Sequence, residues 1–312
     1  MHIIRKPFHS RNYLVTIALG DNYLKNFKQY SLPTWLKYCD KHDLGIIIFT
    51  KPLINSKSKI WKKANWQKLL IGKFIKQNDL RIDNVCFLDT DILINHYSPN
   101  IFNFYDSDTF GLVSQFENVP FPIFETQKRI AYYRHHFYDK KYPLDSALFM
   151  TPAKIFQSMS LSIFNNYACT GLIMFNIEKH SQIMQSWFEK YPSNVKSLTG
   201  GEEPHLNWEI QNYAKITWLD YKFQAIWLFE QAWNYPFLYT DYQNHEDLIK
   251  LCVESCLSNN YFLHFAGSWN ESEMWKINSI YSSKRTLNRI DNFQKYLLEK
   301  PKAQAVGPIK PN

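Results

Sequence analysis

The apolar and polar positions of this chain alternate between two patterns. Short unbroken apolar runs read as strands buried on both faces. They are Tyr13 to Leu19, Ile46 to Phe49, Val85 to Leu88 and Thr170 to Asn176. Helical spacing fills the gaps between the first three. Leu32, Trp35, Leu36 and Cys39 fall at i, i+3, i+4 and i+7, with Ser31 placed to cap and Pro33 in the first turn. Trp66, Leu69, Leu70 and Phe74 mark a second helix, and Val85 to Leu88 follows it as the central strand. Strand, helix, strand, helix, strand within about ninety residues is an alternating α/β half, the kind that carries nucleotides.

The pattern then breaks. Residues 114 to 165 crowd Phe, Tyr, Pro, His and Lys together, as in Tyr132-Tyr-Arg-His-His-Phe-Tyr138, with no clear period. The expectation is an irregular insertion packed by its own aromatics; the functional alternatives are an acceptor-binding flap or a basic, membrane-facing surface. Order returns with a helix opened by Glu178 and carrying Ile183, Met184 and Trp187, then a strand over Lys215 to Leu219. Gly200-Gly-Glu-Glu-Pro204 marks a helix start. Tyr261 to Phe265 is a short apolar strand holding His264, with Gly267 just beyond it. From Lys284 a basic helix is expected, striped by Leu287, Ile290, Phe293, Leu297 and Leu298, and the last dozen residues are expected to be disordered.

Chemistry concentrates where Val85 to Leu88 meets Asp89-Thr90-Asp91. Strand ends are where α/β sheets place ligands, and buried carboxylates need a positive partner. If the chain stays extended, residues i and i+2 point to one side, so both carboxylates can reach one ion. Oxygen ligands suit Mg²⁺ or Mn²⁺. The bland reading, an Asx-turn closing a strand, is equally open from local pattern. A second pair, Asp106 and Asp108, precedes its apolar run and reads as a turn. His264 is a candidate third ligand, against the commoner role of a hydrogen-bonded core histidine. Glu202 and Glu203 suit a helix N-terminus electrostatically, yet Glu203, His205 and Asn207 also form a cluster able to act on a substrate. The loop Gly20-Asp21-Asn22-Tyr23 offers a place for base and ribose, or is an ordinary turn. Lys68 lies off its helix's apolar face and either reaches a phosphate or is solvated; Lys57 to Lys63 reads as a solvated loop.

Composition narrows this picture. The 312 residues, 45% apolar and 21% charged, allow one large domain or two small ones with a sizeable core. Aromatics at 17% suit stacking on sugars or bases, and equally a bulky core. A net charge of +8 suits a phosphorylated ligand or an anionic membrane surface; no nucleic-acid-binding motif accompanies it. Five cysteines lie without metal or disulfide spacing, which points to a reducing, cytoplasmic setting. The first residues lack a signal-peptide core and no apolar run approaches a membrane span, so membrane contact would be peripheral.

Together the motifs resemble the GT-A-fold glycosyltransferases, and most closely glycosyltransferase family 8. Phe-Leu-Asp89-Thr-Asp91 resembles that family's Asp-x-Asp strand end, and Thr170-Gly-Leu-Ile-Met-Phe-Asn176 its Asn-Thr-Gly element. Glu202-Glu-Pro-His-Leu-Asn207 takes the place of an acidic Leu-Asn segment, and His264-Phe-Ala-Gly267 that of His-x-x-Gly. The order holds over roughly residues 12 to 270. The Glu-x-His-Leu-Asn form is closer to family 6, where the residue at the position of Glu203 is the candidate nucleophile. The Lys-Pro-Trp after His-x-x-Gly is missing, with only Trp269 and Lys276 nearby, and the Asn of Asn-Thr-Gly is replaced around Ala168 and Cys169.

The resemblance implies an α/β, Rossmann-like mixed central sheet flanked by helices, with a C-terminal helical extension. Its domain would span 1–270, a nucleotide-sugar half at about 12–113 and an acceptor half at about 114–270, followed by 271–312. It implies a retaining, Mn²⁺- or Mg²⁺-dependent hexosyltransferase using a nucleotide-sugar, most simply a UDP-sugar, and a hydroxyl acceptor such as a surface glycan. Metal ligands would be Asp89, Asp91 and His264, and donor contacts Ala18, Gly20, Asp21, Tyr23, Lys68, Asp89, Thr90 and Gly267. Glu203, with Glu202, would be catalytic. Two competitors stay open: a nucleotidyltransferase, whose Gly-rich phosphate loop is missing around the lone Gly20, and a sugar-binding protein without catalysis.

Overall fold

Strands run in chain order as β1 (His2–Arg5), β2 (Asn12–Ile17), β3 (Gly45–Phe49), β4 (Asn84–Leu88), β5 (Ile92–Ile94), β6 (Phe110–Val113), β7 (Leu172–Asn176), β8 (Ile216–Leu219), β9 (Ala225–Ile226) and β10 (Phe262–His264). The computed structural model describes residues 1–138, 146–198, 201–278 and 280. A seven-stranded sheet has the order β1-β3-β2-β4-β7-β6-β8. β2 is parallel to β3 and β4, whereas β7 runs antiparallel to both β4 and β6. The sheet is therefore mixed, as expected.

Alternation along the apolar runs builds the core. Leu14, Ile46, Ile48, Cys86, Leu88 and Met174 face one side; Val15, Ile47, Phe49, Val85, Phe87 and Phe175 face the other. The first face is covered by helix Leu32–His42 through Trp35, Tyr38 and Cys39. The second is covered by Leu69, Leu70 and Ile75 and by Met184 and Trp187 of helix Ile177–Lys190. Each such side chain contributes about 1.5–3 kcal/mol by leaving water.

A second sheet, in the order β5-β10-β9, hangs from the end of the first. After β4 the chain turns at Thr90 and Asp91 and re-enters as β5. β10 pairs antiparallel with β5, setting His264 opposite Ile92, and the Phe265 amide donates to the Asp91 carbonyl at 3.2 Å. β9 lies parallel on the other side, with Ile226 opposite His264. This register brings residues far apart in the sequence to one point.

Several expectations need correction. Ser31 does not cap a helix. Helix Asp21–Asn26, a π-helical turn Phe27–Ser31 and helix Leu32–His42 follow without a break, and Ser31 has helical dihedrals of −86° and −47°. The extra residue of the wide turn accommodates Pro33, which has no N–H to return, and the Ser31 hydroxyl donates instead to the Thr90 carbonyl at 2.7 Å. Gly20, Asp21 and Tyr23 are not an open loop: Gly20 precedes helix Asp21–Asn26 at φ 92°. β1 is a short edge strand that no apolar run announces.

Residues 114–165 hold two regular helices, Ile123–Phe137 and Pro152–Ser158. Thr126, Ile130 and Arg134 are buried at helical spacing, and the polar members of that stripe conceal its period. Lys62 is not solvated. It is 2% exposed and donates to the Phe188 carbonyl at 2.7 Å, above the Phe188 ring. The Asp106 pair is a turn as expected, with the Asp108 amide donating to the Asp106 carboxylate at 2.9 Å.

The chain divides into Met1–Ile277 and Asn278–Asn312. The expected C-terminal helix from Lys284 and the disordered tail lie outside the described residues. No helix among the described residues is long and apolar enough to cross a membrane.

Candidate metal centre

Asp89, Asp91 and His264 come together at the carboxyl end of β4. One ligand atom from each lies within 4.8 Å of the others. His264 Nε2 is 3.4 Å from Asp91 Oδ1 and 3.8 Å from Asp89 Oδ2. The two aspartates converge around a turn, not along an extended strand as the spacing argument supposed. Three contacts hold that turn: the Asp89 amide donates to the Gly171 carbonyl at 2.8 Å, Ser31 grips the Thr90 carbonyl, and Trp35 Nε1 donates to the Ile92 carbonyl at 2.8 Å.

The donor set fits a divalent cation. Asp91 Oδ1 is buried and receives no hydrogen bond, a costly state for a carboxylate oxygen unless a cation completes it. Two carboxylates and an imidazole suit Mn²⁺ or Mg²⁺. Burial disfavours a charged His264 ring, but Cys169 and Asp91 more than offset this and hold the ring well above its ordinary value. Burial pushes the Cys169 thiol up as well, against the pull of His264. Asp89 is also raised, by burial first and by Asp91, against the pull of Lys68 and His264.

Gly171 makes the approach possible. A Cβ there would collide with His264 Cε1 and stand 2.8 Å from Asp89 Oδ2. Its neighbour Thr170 links this cluster to the glutamates. The Thr170 amide donates to Glu203 Oε2 at 3.3 Å, and its hydroxyl to Glu202 Oε1 at 2.6 Å. Glu203 opens helix Glu203–Tyr213 with Pro204 beside it, as the sequence suggested. Its carboxyl is pushed up to about 7, by burial first and then by Glu202, while Tyr167, Thr170 and Lys68 pull it back in part. Asn207 holds the same strand end, exchanging 2.8 Å hydrogen bonds with the amide and carbonyl of Ala168.

Lys68 differs from the solvated lysine expected of it and is buried. Its Nζ lies 2.7 Å from Glu202 Oε1 and donates to the Thr170 carbonyl at 2.7 Å, with both side chains at most 3% exposed. Burial pulls the lysine down, and Glu202 and Asp89 more than restore it, so the lysine stays charged.

Beside the cluster is a cavity of ≈380 Å³ lined by Cys169, Glu203, Gly267 and Trp269, with the amides of Gln115 and Gln127. Gly267 adopts φ 113° with nothing within 4 Å of where its Cβ would be. Ala18, Gly20, Asp21 and Tyr23 lie at the carboxyl end of β2, the strand beside β4. Ala18 is buried there and Tyr23 is 66% exposed. The sequence pointed to Ser31 as a helix cap and to no role for Gly171 or Gln224. For Gln224 the one signal was a lone amide inside the run Phe223-Gln-Ala-Ile-Trp227.

No family model and no curated protein matches the sequence. Among solved structures, the chain is similar to a glycosyltransferase involved in glycosylation of the major capsid of PBCV-1, at 9% identity and TM-score 0.46 over 85% of this chain and 98% of that one. The apo bifunctional glycosyltransferase WbbM matches at 11% identity and TM-score 0.48, over 92% of this chain and 53% of WbbM. The apo glycosyltransferase GlyE of Streptococcus pneumoniae TIGR4 matches at 12% identity and TM-score 0.43, over 95% of this chain and 66% of GlyE. The chain thus spans about half of WbbM and about two thirds of GlyE. At these identities and scores the likenesses carry no weight for reaction, donor or acceptor.

Replacing Lys68 by Met leaves Glu202 charged and buried beside Asp89 and Glu203. Urea denaturation should show a loss of about 3–5 kcal/mol, much of it recovered in the Lys68→Met, Glu202→Gln double variant. A loss below about 1 kcal/mol in the single variant would contradict the pair's structural role.

Proposed function

We propose that this protein is a metal-dependent glycosyltransferase that moves a sugar from a nucleotide-diphosphate sugar, most simply a UDP-sugar, to a hydroxyl of a glycan acceptor. The observation that carries the reading is the convergence of Asp89, Asp91 and His264 next to a cavity walled by Glu203. Asp91 and His264 would hold Mn²⁺ or Mg²⁺, with Asp89 shared between the ion and the donor ribose. Bound there, such an ion offsets the negative charge that grows on a leaving nucleoside diphosphate.

The chain's own groups do the rest. Glu203, aimed by the Thr170 amide, presents a carboxylate to the cavity. A carboxylate beside an anomeric carbon favours the oxocarbenium-like state, as nucleophile or as electrostatic partner, and a retaining outcome belongs to this proposal. Glu202, held by Lys68, would position Glu203, and the lysine would add its positive charge beside the donor phosphates. Ala18, Gly20, Asp21, Tyr23 and Thr90 are proposed to receive base and ribose, and Gly267 to let backbone approach the phosphates. The rings of Phe116, Phe229 and Trp269 with the Gln115 and Gln127 amides suit a hydroxyl-rich acceptor.

Incubation with UDP-sugars should release UDP only when Mn²⁺ or Mg²⁺ is present, and Asp91→Asn should lower the rate by at least about 100-fold at saturating metal. Pyrophosphate release would favour a nucleotidyltransferase, and full activity of Asp91→Asn would refute the assignment. Since the Glu203 carboxyl is raised to about 7, its ionised form accumulates as pH passes upward through that value. Transfer should therefore rise between about pH 6 and pH 8, and Glu203→Gln should lose the rise together with at least about 100-fold in rate. A wild-type profile flat over that range, or a Gln variant of normal rate, would remove Glu203 from the reaction.

A further inference from the structure

His264 Nε2 faces the two aspartates, so its lone pair is available to a cation only when the ring proton sits on Nδ1. That proton needs an acceptor, and the ring is 2% exposed, so water does not supply one. Two groups reach Nδ1: the Gln224 amide, through Nε2 as placed, at 3.2 Å and the Cys169 sulfur at 3.6 Å. A neutral thiol accepts weakly. Gln224 is 1% exposed, and its Oε1 has no hydrogen-bond partner. The two ends of an amide exchange places by a half-turn of its terminal bond. With Oε1 turned to the ring, the amide gains the donor it lacks and His264 gains the acceptor it needs.

We infer that Gln224 is a positioning residue that accepts the Nδ1 proton of His264 and so fixes Nε2 as the metal-binding nitrogen. The inference rests on the metal centre of the proposed function. Its placement follows from the fold. Ile226 of β9 is opposite His264 in parallel register, and Gln224 ends the 3₁₀ turn Tyr221–Gln224 immediately before that strand. A donor NH₂ in that position would oppose a proton on Nδ1. The arrangement is an amide counterpart of the carboxylate–histidine–metal pairing, with a neutral acceptor that does not itself compete for the cation.

Mn²⁺ affinity, read by electron paramagnetic resonance without any sugar donor, tests this on the full chain. Gln224→Leu removes the acceptor and should weaken Mn²⁺ binding by about 10–100-fold. Gln224→Glu restores an acceptor and should bind Mn²⁺ at least as tightly as wild type. Equal losses in both variants would show a packing role only, and an unchanged affinity in Gln224→Leu would overturn the inference. If Gln224→Leu fails to fold, ¹⁵N spectra of the Mg²⁺-loaded wild type decide: a proton on His264 Nδ1 supports the assignment and a proton on Nε2 overturns it. A wild type that binds Mn²⁺ normally while the variants contradict the expectation removes only the role of Gln224. A wild type that takes up no Mn²⁺ removes the metal centre and this inference with it.

Discussion

Crowded negative charge at one sheet end is the constraint around which this molecule is arranged. Asp89 and Asp91 end β4, and Glu202 and Glu203 begin a helix packed against the same strand end through Thr170. Carboxylates gathered at one place repel one another, and where they leave water they lose hydration, so the buried ones must be answered. Lys68 answers Glu202 directly and Asp89 at longer range, and Thr170 donates to both glutamates. Asp91 Oδ1 is left without a donor and faces the His264 ring. A divalent cation is the simplest completion of that set. The charge balance therefore explains both why Lys68 is buried and why a metal fits beside it.

The fold delivers these groups through register. β4, the central strand, is apolar on both faces and carries the carboxylates to its carboxyl end. The turn after it feeds β5, and β10 pairs with β5 so that His264 and Asp91 become neighbours although 173 positions separate their numbers. β9, on the far side of β10, then places Gln224 behind the imidazole. Gly171 leaves the space in which these parts meet. A slip of one residue in β10 would turn His264 to the opposite face, which is why this short strand needs partners on both sides.

Much of this was legible in the chain. The apolar runs gave the sheet strands, since burial on both faces leaves no polar alternation to confuse them. The Asp-x-Asp strand end and the distant histidine were readable as candidates, but local pattern left an Asx-turn and a core histidine open, and the order of the motifs favoured their pairing. What escaped notice depended on tertiary neighbours. Lys68 looked like a surface lysine because its partner Glu202 lies far along the sequence. The helix Ile123–Phe137 hid its period because its buried stripe includes Thr126 and Arg134, the latter 2.7 Å from Glu271. Ser31 carried a cap's identity but serves the Thr90 turn instead.

The central claim is that one cation is gripped jointly by residues from the middle and the end of the chain. Anomalous diffraction from crystals grown with Mn²⁺ and a nucleoside diphosphate addresses it directly. The account predicts a single strong peak bonded to Asp91 and His264 at about 2.0–2.3 Å, next to the phosphate density. A nucleotide bound with no peak there, or a peak ligated without His264, would contradict it.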